Sequence, residues 1–105
     1  MEKPNLSYIN SLSGEDKAFK KRLIDIIKKE FPLEKNVYYI NLKEENYKLV
    51  AENVHKLKHK ISILGLEKSY EIAVEYENNL KERNANLEKE FENILLTITN
   101  YLNQI

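Results

Sequence analysis

The sequence predicts an all-α protein, an up-and-down antiparallel four-helix bundle with a short extra N-terminal helix. Apolar residues recur at three- and four-residue spacing along most of the chain, as on the buried face of a helix. Glycine and proline occur twice each among 105 residues, which is too few for the turns of a β-rich fold. The short connections between helical segments favour antiparallel neighbours. A chain of this length supports one core, so residues 1–105 are expected to form a single domain.

The first two predicted helices lie before residue 41. A short helix covers Leu6 to Leu12, and the second begins with Ser13 as its N-cap and acidic residues in its first turn. The second helix is expected to continue, with a kink, through Pro32. Tyr38 and Tyr39 leave a strand open as an alternative. The apolar series of this helix is Phe19, Leu23, Ile26, Ile27, Phe31, Leu33, Val37 and Ile40.

Three further helices follow a short connection around residues 41–44. The third runs from about Glu45 to Leu64 and ends at Gly65. The fourth covers about Leu66 to Lys81, and Asn86 is the expected N-cap of the last. The seam of the third helix is Val50, Val54, Leu57, Ile61 and Leu64. The fourth is expected to bury Leu66, Tyr70, Ala73, Tyr76 and Leu80. The last carries Leu87, Phe91, Ile94, Leu95, Ile98, Tyr101, Leu102 and Ile105.

Charge and composition exclude several classes of function. Lys and Arg together number 17, as do Asp and Glu, whereas a nucleic-acid-binding protein normally has a basic excess. The chain has no cysteine, so thiol catalysis and thiolate zinc sites are excluded. No stretch approaches the ~20 apolar residues of a membrane span, and no apolar run follows the N-terminus as in a signal peptide. We therefore expect a cytoplasmic protein that binds neither nucleic acid nor membrane.

His55 is the candidate functional residue. At ~100° per residue, it lies roughly 140° from the centre of the seam of the third helix, so its imidazole is expected to face solvent. Its face includes Ala51, Lys58, His59 and Ser62, and the run from 55 to 60 holds three lysines and no acid. The small side chains of Ala51 and Ser62 leave room for a partner protein to approach. An ordinary surface histidine on a lysine-rich helix is the alternative interpretation.

An exposed imidazole among cations is suited to carrying a phosphoryl group. Neutral imidazole has one nucleophilic ring nitrogen, and histidine can hold a phosphoryl group covalently between two transfers. Lys58, one turn along the helix, can screen the added negative charge by a charge-assisted hydrogen bond. Lys56 and Lys60 are expected to add to a local positive field that attracts an acidic partner. His55 and His59 are also spaced for a zinc site, but the surrounding lysines disfavour it.

The same residues resemble the motif of the histidine-containing phosphotransfer (HPt) family, which is His-x-Leu-Lys-Gly, four residues, then Leu-Gly. The matching positions are His55, Leu57, Lys58, Leu64 and Gly65, within a stretch of about twenty residues, and Tyr76-Glu77 stands where the family often has Leu-Glu. The resemblance implies a four-helix bundle in which His55 is the phospho-acceptor and Lys58 stabilises the phosphate. It implies a stoichiometric carrier, and not an enzyme, with no cofactor of its own.

The partners implied by the resemblance are response-regulator receiver domains, a hybrid histidine kinase, or both. The receiver would supply the aspartyl phosphate, the acidic pocket and Mg²⁺. The expected docking residues are Ala51, Lys56, His59, Lys60 and Ser62, and a monomer is the simplest expectation for an exposed carrier site.

His59 departs from the motif because the family has glycine at that position. Glycine keeps the surface beside the active ring low, so a histidine there can crowd the interface or select particular receivers. The second interpretation is therefore a helical adaptor that docks onto a receiver or kinase without transferring phosphate. A third is a structural bundle whose match to the motif is accidental.

Overall fold

The described residues, 2–105, form five α-helices and no strand in the computed structural model, and Met1 lies outside them. The helices are α1 (Ser7–Ser13), α2 (Lys17–Lys43), α3 (Tyr47–Ile63), α4 (Glu67–Lys81) and α5 (Glu88–Gln104). The predicted all-α class is confirmed, and the alternative strand at Tyr38 and Tyr39 is replaced by α2, which continues through Pro32. Within residues 2–105, none of the helices combines the length and apolarity needed to cross a membrane.

The boundary between α1 and α2 differs from the prediction. Ser13 is the last residue of α1, and its hydroxyl donates a 2.9 Å hydrogen bond to the carbonyl of Ile9. Gly14, with a φ of +55°, ends α1, because this backbone conformation suits glycine and interrupts the helix. Asp16 is the N-cap of α2 and accepts a 2.9 Å hydrogen bond from the backbone N–H of Phe19. The prediction of Ser13 as N-cap was therefore wrong by three residues.

The turn between α4 and α5 also departs from the prediction. Leu87, and not Asn86, stands at the N-cap of α5, and it makes no capping hydrogen bond with its side chain. Leu87 adopts a positive φ of 80°, which turns the chain. The backbone N–H of Asn86 donates a 2.8 Å hydrogen bond to Oδ1 of Asn84 in the same turn. Glu88 and Glu90 lie in the first turn of α5, where acidic side chains interact favourably with the helix dipole.

The N-terminal segment ties the α3–α4 turn together. Gly65 ends α3 as predicted, with a φ of +77°, and a Cβ at this position would lie 2.6 Å from Nδ2 of Asn5. The backbone N–H of Asn5 donates to the carbonyl of Leu64 at 2.8 Å. Glu2 accepts hydrogen bonds from the backbone N–H groups of Lys68 at 2.8 Å and Ser69 at 2.9 Å. Because α4 has no capping side chain of its own, the carboxylate of Glu2 serves that purpose.

Helix α3 packs between α2 and α4, α5 contacts α4 and α2, and α1 lies against α2. Lys60 near the end of α3 meets Glu34 of α2, and Asn53 earlier in α3 meets Asn41 later in α2, so these two helices run in opposite directions. The whole predicted seam of α3 is buried. The largest fully buried side chains are Tyr38, Tyr76, Phe31, Phe91, Ile9, Leu57, Ile61, Leu64, Leu66, Leu80, Leu95 and Ile98.

Several apolar residues expected in the core are exposed. Tyr70 of α4 was expected to be buried, but it is 36% exposed, and its ring lies beneath the ammonium of Lys58 at the edge of α3. On α2, the core takes up Ile27, Phe31 and Tyr38. Five further apolar residues of that helix lie on a second face that its neighbours leave uncovered: Phe19, Ile26, Leu33, Val37 and Ile40.

Two tyrosine hydroxyls, one from α2 and one from α4, meet in the core. The hydroxyls of Tyr38 and Tyr76 are 2.8 Å apart, and both rings pack against Phe91 of α5, with centroids 5.3 and 5.1 Å away. Burial raises the pKa of Tyr76 to about 12 and raises that of Tyr38 further, with the hydrogen bond between them as a second cause for Tyr38. Both hydroxyls are therefore neutral, and each is the polar partner of the other.

Tyr76→Phe is expected to lower the free energy of unfolding by about 1–3 kcal/mol, because it leaves the buried hydroxyl of Tyr38 without a partner. The double variant Tyr38→Phe/Tyr76→Phe is expected to recover much of this loss, since both polar groups are then removed. Urea denaturation of the four proteins in this cycle measures the coupling, with Tyr8→Phe as an exposed control. If the double variant lost as much free energy of unfolding as the two single variants together, the two hydroxyls would not be coupled and the pairing would be contradicted.

Candidate functional site

His55 lies midway along α3, with 54% of its side chain exposed. The helix places it there because the buried seam occupies the opposite side. Lys58, one turn later, lies on the same face, but only 12% of its side chain is exposed. The two residues that the sequence singled out are therefore neighbours on one face of α3, one open to solvent and one largely covered.

Glu77 of α4 connects these two residues. Its Oε2 lies 3.3 Å from Nδ1 of His55, and its Oε1 accepts a hydrogen bond from Nζ of Lys58 at 2.9 Å. Lys81, four residues further along α4, places Nζ 3.4 Å from Oε2. Only 9% of the side chain of Glu77 is exposed. One carboxylate therefore contacts the imidazole and two ammonium groups at the interface of α3 and α4.

The cations keep Glu77 ionised. Burial alone would raise the pKa of Glu77, but the hydrogen bond from Lys58 and the charges of Lys58 and His55 outweigh it, with help from Lys81. The pKa of Glu77 therefore lies below its ordinary value of 4.5. At neutral pH the carboxylate is negative and can only accept hydrogen bonds.

An acceptor at Nδ1 determines the tautomer of His55. Because ionised Glu77 has no proton to donate, the hydrogen bond at 3.3 Å requires that Nδ1 carry the proton. In the neutral ring the lone pair is then on Nε2, at the side of the imidazole away from Glu77. The arrangement leaves Nε2 as the nucleophilic nitrogen on a half-exposed ring.

Lys58 is held by two neighbours. One of its three N–H donors is used on Glu77, and its Nζ lies 5.8 Å from the centroid of the Tyr70 ring, within the range of a cation–π interaction. The sequence suggested an ammonium available for a phosphate. In the structure the ammonium of Lys58 forms an ion pair with Glu77 and retains two further N–H donors.

Lys60 does not belong to this face. Its Nζ lies 2.8 Å from Glu30 and 2.9 Å from Glu34, both on α2, so its charge is balanced on the opposite side of α3. The expected contribution of Lys60 to a positive field around His55 stays a prediction, and these two ion pairs with α2 do not favour it. The sequence did not indicate these pairs, because the acids that neutralise Lys60 are 26 and 30 residues away.

The other expected docking residues differ in their exposure. Lys56, His59 and Ser62 are exposed. Ala51 is buried, with 4% of its surface exposed, although it lines a groove beside His55. His59 lies one turn beyond His55, and the two rings meet edge to face with centroids 5.1 Å apart.

The groove beside His55 has a volume of about 860 Å³ and lies between the first half of α3 and the last turns of α4. Tyr47, Ala51 and Leu80 give it an apolar lining, and it carries four basic and two acidic side chains. The charged residues are Lys48, Lys56, Lys81, Arg83, Glu52 and Glu77. Ser62, His59 and Lys60 are outside the groove, so the concave surface extends from His55 toward the start of α3.

The sequence contains one signal that Glu77 lies on the buried face of α4. Glu77 lies four residues after Ala73, and Ala73 is in the apolar series of α4. Residues four apart share a helix face, so Glu77 belongs on the buried side, where a carboxylate needs a cation. Lys58 and Lys81 are those cations. The contact with His55 was missed because it depends on how α3 and α4 are aligned.

Within residues 2–105 no three His, Cys, Asp or Glu side chains are grouped so that they could hold a metal ion. Comparison of the chain with protein-family models, with curated proteins and with solved structures found no match.

Replacing Glu77 with Gln is expected to destabilise the protein by about 1–3 kcal/mol at neutral pH, because a charged hydrogen-bond partner of Lys58 is lost. The lowered pKa means that the contribution of Glu77 is fully present above pH 4.5 and is lost as the pH falls through the folded-state pKa. The stability difference between wild type and Glu77→Gln should therefore shrink in acid. Urea denaturation over an acidic pH series measures it, with Glu75→Gln on the exposed face of α4 as control. A stability difference that does not change with pH would contradict the ion pair between Glu77 and Lys58.

Neutral His55 is expected to carry its proton on Nδ1, while His59 provides an internal reference because no acidic partner contacts its ring among the described residues. Long-range ¹H–¹⁵N correlation spectra distinguish the two tautomers in one sample. His55 should show the Nδ1–H pattern in the wild type and lose this preference in Glu77→Ala. An Nε2–H pattern for His55 in the wild type would show that the contact with Glu77 does not set the tautomer.

Proposed function

We propose that this protein is a phosphorelay intermediate of the HPt type, which carries a phosphoryl group on His55 between aspartates of receiver domains. The observation that carries the proposal is the contact between Nδ1 of His55 and the ionised carboxylate of Glu77. It directs the lone pair to Nε2 of a half-exposed ring, and a nucleophile that must meet a partner's phosphate needs both properties. The motif from His55 to Gly65 provides independent support.

In the proposed reaction Nε2 attacks the phosphorus of an aspartyl phosphate on the receiver. The N–P bond forms as the bond between phosphorus and the aspartate oxygen breaks, and the receiver's carboxylate leaves with the electron pair. The proton stays on Nδ1 and remains hydrogen-bonded to Glu77, whose negative charge offsets the positive charge that the ring gains. The reverse reaction with a second receiver returns the ring to its neutral state. The protein is thus a stoichiometric carrier, and the partner receiver supplies the acidic pocket and Mg²⁺.

Lysine side chains around the ring favour the phosphorylated form in this proposal. Lys58 has two N–H donors besides the one used on Glu77, and a phosphate oxygen can accept one of them. Lys81 is 61% exposed and can turn toward added charge. Lys56 is exposed on the groove side of His55, where it adds positive potential that attracts an acidic partner.

We also propose that α2 to α5 form an up-and-down antiparallel four-helix bundle, with α1 as the extra helix. The sequence of neighbours α2–α3–α4–α5, with α5 in contact with α2, supports this arrangement. It places the groove beside His55 on the outside of the α3–α4 pair, where a receiver domain can dock against Tyr47, Ala51 and Leu80. Since receiver domains act in the cytoplasm, we propose the same location for this protein.

A second candidate function is supported by His59. Its ring lies against the ring of His55, at the position where the HPt motif has glycine. The added side chain can hold a receiver away from Nε2 while still contributing to its binding. The protein would then be an adaptor that docks onto a receiver or kinase without accepting phosphate.

Phosphoryl transfer from a panel of ³²P-labelled receivers tests the proposal. Wild type is expected to acquire acid-labile label, His55→Gln to acquire none, and His59→Gln to acquire label at least as fast as wild type. Lys58→Ala is expected to accept label more slowly, because one charge-assisted donor to the phosphate is lost. Circular dichroism of each variant checks that the helices remain intact.

The outcomes separate the two candidate functions. A receiver that binds wild type without labelling it, and that labels His59→Gln, would establish the adaptor and identify His59 as the barrier. Label that survives in His55→Gln but not in His59→Gln would assign the reaction to His59 and contradict the role proposed for His55. Absence of binding to every receiver would exclude both functions.

A further inference from the structure

A row of exposed apolar side chains follows α2 along one side, and we call it the α2 stripe. It consists of Phe19, Ile26, Leu33, Val37 and Ile40, which are between 38% and 60% exposed. Isolated exposed apolar residues are ordinary, but contiguous apolar patches on a protein surface mark interaction sites. The stripe extends over about 30 Å of helix at a rise of about 1.5 Å per residue.

The α2 stripe supplies an apolar residue at one of the two positions that a helix–helix seam uses in each heptad. Phe19, Ile26, Leu33 and Ile40 follow one another at intervals of seven residues, and Val37 stands four after Leu33 and three before Ile40. A seven-residue apolar repeat drifts by only about 20° per repeat on a straight helix, so it presents a narrow band to a parallel or antiparallel helix. A globular partner would not require this regular interval.

The helices of the same chain do not cover the α2 stripe. The core-facing residues Ile27, Phe31 and Tyr38 lie on a face roughly 120° away at about 100° per residue, and they are buried by the helices around them. Leu33 is the most exposed residue of the stripe, at 60%. The long helix α2 therefore has two apolar faces, one packed within the molecule and one free.

The two edges of the stripe carry opposite charge near its middle. Arg22 and Lys29 lie on one edge, and within residues 2–105 neither forms a salt bridge; Asp25 lies farther from the stripe behind them. Glu30 lies on the other edge, whereas Glu34 lies farther from the stripe, where Lys60 binds it and only 22% of its side chain is exposed. Glu30 is half exposed, and its Oε2 is not used by Lys60, which binds Oε1.

We propose that the α2 stripe is the interface of a homodimer in which two copies of α2 pack side by side in parallel. A two-fold axis along the helices brings the basic edge of one copy against the acidic edge of the other, so that Lys29 of each chain approaches Glu30 of its partner. In an antiparallel pair the basic edges of the two copies would face each other, as would the two acidic edges, so that like charges would meet. The proposed dimer departs from the monomer that was the simplest expectation for an exposed carrier site.

The dimer is independent of the proposed phosphoryl transfer. His55 faces α4 through Glu77, whereas the side of α3 that faces α2 is marked by Lys60. The groove beside His55 is lined by α3, α4 and the turn that follows α4, and no residue of the stripe belongs to it. The two copies would each keep an open His55.

Sedimentation equilibrium of the full chain tests the interface. Wild type is expected to reach a mass twice the 12.5 kDa of one chain, and Leu33→Glu is expected to sediment as a single chain with unchanged helix content. Leu96→Glu is the matched control, because Leu96 of α5 is 59% exposed but outside the stripe, and it should remain dimeric. Lys29→Glu should weaken the dimer, and Lys29→Glu/Glu30→Lys should restore part of the loss.

Three results would overturn the proposal. These are a wild type that is monomeric at the highest concentration the protein tolerates, a Leu33→Glu variant that remains dimeric, and a Leu96→Glu variant that dissociates as much as Leu33→Glu does. Orientation is tested separately, because the chain has no cysteine and one introduced thiol is unique. Ile40→Cys should form a disulfide between the two chains readily in the parallel dimer. A dimer that cross-links only when Phe19→Cys is mixed with Ile40→Cys would be antiparallel and would contradict the proposed packing.

Discussion

The carboxylate of Glu77 lies almost buried between α3 and α4, and it keeps its charge there only because cations surround it. Lys58 and Lys81 neutralise it from two helices, while His55 contacts the same oxygen as Lys81. An uncompensated buried carboxylate would be costly, so the alignment of α3 against α4 and the orientation of the imidazole are coupled. The ring is positioned by the same interaction that holds the two helices in register.

This coupling bears on what happens when negative charge is added at Nε2. A phosphoryl group and Glu77 would attract the same ammonium groups, and Lys58 could serve both because it has three donors. Lys81 is far more exposed than Lys58 and has more freedom to rearrange. The largely covered lysine therefore maintains the helix interface, while the exposed one can respond to the state of the ring.

The sequence predicted what depends on local pattern and missed what depends on distant contacts. The seam of α3, its end at Gly65 and the exposure of His55 follow from residue spacing along one helix. The capping residue of α2 was misplaced because Gly14 separates Ser13 from it, a matter of backbone geometry. The pairing of Lys60 with Glu30 and Glu34 could not be predicted, because both acids belong to α2. The orientation of His55 likewise depends on an alignment between helices that no single helix encodes.

The cap that Glu2 provides for α4 has a consequence for the order in which the molecule assembles. Helices joined by short turns close small loops, whereas the tie from Glu2 to the backbone of Lys68 spans 66 residues. Loop-closure entropy grows with length by about 0.6 kcal/mol for each doubling, so we expect the N-terminal segment to join after α3 and α4 have met. The first turn of α4 then takes part of its stability from the opposite end of the chain, and it would loosen whenever that segment lifts away while the rest of the helix stays folded.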